Sequence, residues 1–150
     1  TASTFPQEAE QVRKSIEKEH FDIVYSSPLS RCRQLADFCG YTHPLIDKRL
    51  KELNFGTWEM QRWDTISDPH LNLWYKDWIN EPAGGAESYM DQYQRVSNFL
   101  DEIRTLPQQQ CCIFTHRGVI ACALVYAKRC TIEKSFDEDI PYGSKTIIEL

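Results

Sequence analysis

The sequence predicts an α/β fold, a three-layer sandwich with a mostly parallel central sheet and helices on both faces. Two observations carry that prediction. Segments with helical spacing alternate along the chain with short apolar runs of strand length, and strands separated by helices pair in parallel beneath helical layers. The chain is also of a size, 150 residues with 41% hydrophobic side chains, that builds one real core and leaves no room for two comfortable domains. Residues 1–150 are therefore expected to form a single domain.

Each element follows from local pattern. Ala9, Val12 and Ile16 recur at helical spacing after the polar start "FPQEAE", which predicts an amphipathic helix over residues 7–19. "FDIVYSS" reads as a strand ended by Pro28. Ser30 is placed to cap a second helix through "RCRQLADFC", with Gly40 as its stop. The stretch "YTHPLIDKRLKELNFGTWEM" is too irregular for one element and is read as a loop. Between Arg62 and Asn80, Trp63, Ile66, Trp74 and Trp78 alternate with acids and prolines, which suggests a helical insertion or lid. "EPAGGAES" is a turn, and Glu87-Ser88 opens a long helix whose apolar face is Tyr89, Tyr93, Val96, Leu100 and Ile103. A strand "CCIFT", a helix after His116 and a closing strand "TIIEL" complete the order, with no internal repeat, low-complexity segment or linker.

Composition narrows the function classes. Seventeen basic against 22 acidic side chains give a formal charge of −5, without a Lys/Arg run of the kind that follows nucleic acid or anionic lipid. Any anion must then be gripped by a few local cations. No apolar stretch reaches membrane-spanning length and no signal segment opens the chain. The six cysteines, Cys32, Cys39, Cys111, Cys112, Cys122 and Cys130, include no CxxC pair and no zinc spacing. Cys111, Cys112 and Cys122 sit in apolar runs, as small buried hydrophobes do in a reducing compartment, so a cytoplasmic protein without metal is expected.

His116 is the first candidate for chemistry. It stands where a strand becomes a helix, in the crevice where open α/β sheets bind ligands, beside helix-start N–H groups that favour anions. Arg31 opens the helix after "YSSPLS", where a planar fork of donors suits phosphate or carboxylate. A cation in a first helical turn also opposes the macrodipole, a mild misfit that points to use. Glu52 lies between Leu50 and Leu53 with Phe55 and Trp58 nearby, and a carboxyl group among apolar neighbours can serve as a proton donor near neutral pH. Glu59 competes with it on spacing alone. Trp58 and Phe55 read most simply as core residues holding the loop. His20, His43 and His70, on a helix end and in proline-containing loops, read as structural.

In chain order, "YSSPLSRCRQLA", "LKELNFGTWE", "GGAES" and "FTHRGVIACAL" resemble the successive signatures of the histidine phosphatase superfamily, the phosphoglycerate mutase-like fold. The resemblance extends over most of the chain from about Phe21 onward and comes nearest to the alpha-ribazole phosphatase branch, which acts in assembly of the nucleotide loop of cobalamin. It implies a phosphomonoester hydrolase working on a small phosphorylated metabolite through a phosphohistidine, without cofactor or metal and without nucleic-acid or membrane partners. By residue, it makes Arg31 the phosphoryl-binding arginine, Glu52 rather than Glu59 the proton donor, and His116 a group contacting the phosphoryl oxygens. Trp58, Glu87 and Ser88 would stand at the pocket rim.

One departure from the family is large. The family's opening strand ends in an Arg-His-Gly triplet whose histidine is the nucleophile, and this chain begins at "TASTFPQEAEQ", which looks like the lead into the family's first helix. The nucleophile is thus not among these residues, and His20 cannot replace it. The missing strand is expected to be central, so that its loss exposes two unsatisfied sheet edges. The resemblance also leaves two other activities open: a broad-specificity phosphatase or phosphoglycerate-type mutase, and a non-catalytic phosphate-binding protein. A mutase must exclude water whereas a phosphatase admits it, and a short chain with little to build a lid favours hydrolysis.

Overall fold

The computed structural model describes residues 5–107 and 110–150. Its elements, in chain order, are α1 (Phe5–Ile16), β1 (Ile23–Ser26), α2 (Ser30–Phe38), β2 (Leu45–Ile46), α3 (His70–Lys76), α4 (Tyr89–Thr105), β3 (Cys111–Phe114) and α5 (Arg117–Tyr126). The strands form one parallel sheet in the order β2-β1-β3.

Register and strand alternation build the two faces. Ile23 to Ser26 pair with Cys111 to Phe114 residue for residue, which puts Val24 beside Cys112 on one face and Tyr25 beside Ile113 on the other. Val24, Cys112 and Phe114 pack against Val12 and Ile16 of α1 and Cys32 and Ala36 of α2. Tyr25 and Ile113 pack against Tyr89, Val96, Phe99 and Leu100 of α4 and Val119, Cys122 and Ala123 of α5. The expected three layers are present, with the N-terminal helices on one side and the C-terminal ones on the other.

The α4 face matches its periodicity: Tyr89, Val96 and Leu100 are buried, while Tyr93 and Ile103 pack partly buried at the edge. Two residues that the apolar count omitted, Gln92 and Phe99, are fully covered on that side. Ser88 caps α4 reciprocally with Asp91: its hydroxyl accepts from the Asp91 N–H and the Asp91 carboxylate accepts from its own.

Several boundaries and two strands differ from the sequence reading. Helix α1 ends at Ile16 and the strand after it begins only at Ile23. Ser30 is the first residue of α2, not its cap; Ser27, further upstream, accepts the Leu29 N–H at 3.2 Å. Gly40 does close the helix, at φ +96°, with the Tyr41 N–H reaching back to the Ala36 carbonyl at 2.8 Å. The loop after α2 contributes β2, a two-residue edge strand whose side chains are both exposed and so carry no alternation to read. The predicted closing strand does not form: residues 146–150 take no part in the sheet, and Ile148 packs partly buried against the α5 clusters instead. A β-branched run supplies strand propensity but not a partner. The sheet is also not split, because β1 pairs directly with β3; among the described residues the ladder stops at the outer edge of β3.

The tryptophan-rich stretch is helical only in part, as a short 3-10 turn at Trp63–Thr65 followed by α3. Trp63 stacks on Trp74 at 5.3 Å and Trp74 meets Trp58 edge-on at 5.8 Å, forming a satellite cluster with Leu53 and Ala83. Trp78 leaves that cluster and packs on Tyr89 of the main core and on the exposed Phe136.

Candidate active site

The C-terminal ends of β1 and β3 and the loop through Leu50–Leu53 meet at the start of α5. The Ser27 N–H bonds the Phe114 carbonyl at 2.9 Å, which ties the ends of β1 and β3 together. Thr115 Oγ1 donates to the Leu50 carbonyl at 2.7 Å, which ties the loop to the same edge.

His116 occupies the N-cap position of α5 with extended backbone, and its side chain does not cap the helix. The imidazole turns inward: Nε2 lies 2.9 Å from Ser27 Oγ and 3.5 Å from Cys32 Sγ. Because Ser27 Oγ already accepts from the Leu29 N–H, its hydroxyl hydrogen is available to Nε2, an arrangement that suits a neutral ring protonated on Nδ1. Burial pushes the His116 pKa below its ordinary 6.5; the negative charge of Glu52 opposes this and the Arg95 guanidinium adds to it. Cys32 forms an uncharged wall, since burial drives its thiol up to about 12.

Glu52 supplies the cap that His116 does not. Its Oε2 accepts from the Gly118 N–H at 3.2 Å, and its Oε1 accepts from the Leu53 N–H at 2.9 Å and from Gln92 Nε2 at 3.1 Å. A carboxylate at a helix N-terminus is favoured by the unsatisfied N–H groups and the dipole there. The anion that the sequence led one to expect at this helix start is, in the folded chain, a side chain from another loop. Glu59, the competing acid, is exposed and accepts only the Phe55 N–H in its own loop at 2.8 Å.

Two α4 residues that sequence reasoning did not single out hold Glu52 in place. Arg95 donates to the carbonyls of Arg49 and Lys51, both at 2.7 Å, and to that of Glu52 at 3.3 Å, while Glu87 grips its guanidinium bidentately at 2.7 and 2.9 Å. Gln92, 0% exposed, holds the carboxylate itself. Their signal in the sequence was an interruption: a polar amide and a cation on the otherwise apolar face of α4.

The residues expected at a pocket rim serve the frame instead. Glu87 binds Arg95 and the Asn54 N–H, Ser88 is the buried α4 cap, and Trp58 is buried with its indole N–H on Asp68 at 3.1 Å. The motifs around Phe55 and Gly84 are pressed together so closely that a Cβ on Gly84 would collide with the Phe55 carbonyl. Arg31 is not brought into contact with Glu52 or His116. Its guanidinium binds Glu8 of α1 at 2.6 Å and lies over the rings of Phe5 and Tyr142, at 5.5 and 4.9 Å. His20, His43 and His70 are all exposed. Among the described residues no group of three or more His, Cys, Asp or Glu side chains is placed to hold a metal ion, and no helix is long and apolar enough to cross a membrane.

Gly118 leaves no room for a side chain. A Cβ there would fall on Glu52 Oε1 and lie 3.0 and 3.1 Å from the Gln92 amide atoms. Gly118→Ala is therefore expected to destabilise the protein by about 1–3 kcal/mol, the usual cost of overpacking, although alanine is the better helix former. Urea unfolding measures it; an unchanged or higher midpoint would show that Glu52 is not seated on α5.

Three of the four ordered motifs thus meet at one sheet edge while "GGAES" packs on the second of them, and residues 6–150 match the family described as the histidine phosphatase superfamily (branch 1). The chain belongs to that superfamily. Phosphoserine phosphatase 1 of Hydrogenobacter thermophilus is 27% identical over 105 residues, covering 65% of this chain and 49% of that protein. A protein of Escherichia coli named probable phosphoglycerate mutase GpmB is 29% identical over 127 residues, covering 79% of this chain and 58% of its own length. The chain spans about half the length of the curated relatives it matches. Among solved structures, the alpha-ribazole phosphatase from Shigella flexneri superposes with a TM-score of 0.81 at 24% identity, over 95% of this chain and 74% of that one. Mycobacterial glucosyl-3-phosphoglycerate phosphatase superposes with a TM-score of 0.71 at 20% identity, over 86% and 68%. These superpositions place the chain in the phosphoglycerate mutase-like fold.

Proposed function

We propose that the protein is a metal-independent phosphomonoester hydrolase acting through a phosphohistidine, with a small phosphorylated metabolite of the alpha-ribazole phosphate type as substrate. The observation that carries this reading is the convergence of Glu52 and His116 on the start of α5: a carboxylate held by two N–H groups and an amide, beside an imidazole that burial keeps neutral.

In the first step the histidine nucleophile forms the N–P bond as the ester P–O bond breaks, and Glu52, protonated, gives its proton to the departing alcohol. In the second, water attacks phosphorus, the N–P bond breaks, and the water proton passes to the Glu52 carboxylate. His116 stabilises the charge on the equatorial phosphoryl oxygens in both. An approaching dianion favours the imidazolium, so His116 takes up a proton as substrate binds. The nucleophile is assigned to a strand lying upstream of Thr1. Support comes from β3, which ends just before His116 and whose outer edge carries no partner among the described residues. A parallel strand added there brings its last residue to the same edge of the sheet.

The reading is tested on protein of verified intact mass with alpha-ribazole phosphate, phosphoserine, 3-phosphoglycerate and an aryl phosphate, with and without chelator. Release of inorganic phosphate unaffected by chelator is expected, fastest from alpha-ribazole phosphate. The likeness to a protein named as a mutase favours a second outcome, transfer of the phosphoryl group to another hydroxyl without free phosphate. Binding of phosphorylated ligands with no turnover at all would end the catalytic reading.

Arg31 contributes only by leaving Glu8. Arg31→Ala is then expected to lower kcat about tenfold, the loss of one charge-assisted contact. Glu8→Gln, which weakens the competing ion pair, should tighten phosphate binding. Calorimetry with inorganic phosphate showing no change in Glu8→Gln, together with full turnover in Arg31→Ala, would remove Arg31 from the site.

A further inference from the structure

We infer that Gln92 is a positioning residue that holds Glu52 in both of its protonation states, offering Nε2–H to the carboxylate and, after a half-turn of its amide, Oε1 to the carboxylic acid. The inference rests on the proposed role of Glu52 as proton donor and acceptor.

Gln92 is wholly buried on α4, and Nε2 donates to Glu52 Oε1 at 3.1 Å. Its Oε1, equally buried, has no hydrogen-bond partner among the described residues. A buried acceptor left unpaired is costly, and the great majority are satisfied, so this one calls for a state of the site in which it is used. Protonated Glu52 provides that state, because a carboxylic acid donates where a carboxylate only accepts. The geometry permits the exchange. Both amide atoms lie at nearly equal distance, 3.0 and 3.1 Å, from the point where a Gly118 Cβ would stand, and with glycine there that place is taken by Glu52 Oε1, beside both ends of the amide. The terminal amide torsion is broad, so a half-turn encounters no steep intrinsic barrier. A leucine in this place would fill the same volume but could follow neither state.

The other charged and titratable groups near Glu52 do not offer this service. From α4, Arg95 is committed to Glu87 and to loop carbonyls. From α2 and α5, the thiols of Cys32 and Cys122 are held up to about 12 by burial and stay uncharged. His116, at the start of α5, has its pKa lowered by burial and is the group to be controlled for.

The test is the side-chain amide signal of Gln92 in nitrogen-15 spectra of the full chain, identified by its loss in Gln92→Leu or, should that variant not fold, by its contacts to the Gly118 α-hydrogens. In the wild type one amide proton is expected to leave its downfield, hydrogen-bonded position as pH falls. That transition should vanish in Glu52→Gln and persist in His116→Gln. An amide invariant with pH, or an identical transition in Glu52→Gln, overturns the inference. In turnover, Gln92→Leu should lower kcat about tenfold with KM unchanged and narrow the pH profile; a change in KM alone counts against it. A protein that shows the amide transition but no hydrolysis keeps this inference and sinks the proposed function. One that hydrolyses with a silent amide does the reverse.

Discussion

Glu52→Gln is expected to lower kcat on alkyl phosphates by about a hundredfold or more, the range for loss of a positioned general acid. On an aryl phosphate the loss should be far smaller in the first step, because a good leaving group departs with little need of a proton. The substitution is nearly isosteric, but the N–H groups of Leu53 and Gly118 bind different oxygens, Oε1 and Oε2, so the single amide oxygen keeps one of these contacts and gives up the other. Urea unfolding of the variant measures the lost contact separately from the loss in turnover. Single-turnover rates on paired alkyl and aryl substrates measure the contrast; equal losses on both would show that Glu52 is not the acid.

His116→Ala is expected to cost about a hundredfold or more in kcat, as removal of a charge-stabilising donor does elsewhere. A second readout tests the same residue without substrate. Burial depresses the His116 pKa in the folded state below 6.5, so between that depressed value and 6.5 the unfolded chain binds more protons than the folded one. The associated stability is complete above 6.5 and is lost as pH falls through that window. His116→Gln should flatten this part of the stability profile in urea unfolding. The carboxylates of Asp47 and Asp68, lowered by their partners Arg49 and His70, act only at more acid pH and leave the window clear. A variant as steep as the wild type there, with wild-type turnover, would exclude His116 from the site.

Much of this architecture was legible because it is local. The helical spacing of Ala9, Val12 and Ile16, and of Tyr89, Val96 and Leu100, marks faces that are in fact buried, since period and burial are the same fact seen twice. The passage from "CCIFT" into "RGVIACAL" located β3, His116 and α5 together. Failures arose where a partner decides. Leu45 and Ile46 became a strand because β1 lay alongside them, and residues 146–150 did not because no strand did. Ser30 has the right chemistry for a cap, yet it is the first residue of α2, and the N-cap, Leu29, has no polar side chain to make the bond. Arg31 does lie in the first turn of α2, as its place after "YSSPLS" implied, but its contact with Glu8 is a matter of how α1 crosses α2.

By itself the sequence determined the long helices and the strands β1 and β3 in order, the superfamily, and the residue types available for chemistry, since each is written in spacing along the chain. Only the tertiary structure decided that Glu52 caps α5, that Arg95 and Gln92 secure it, and that Gly118 must stay bare. Those relations depend on distances between segments remote in the chain, and no periodicity encodes them; they exist only once β1 and β3 have brought their ends to a common edge.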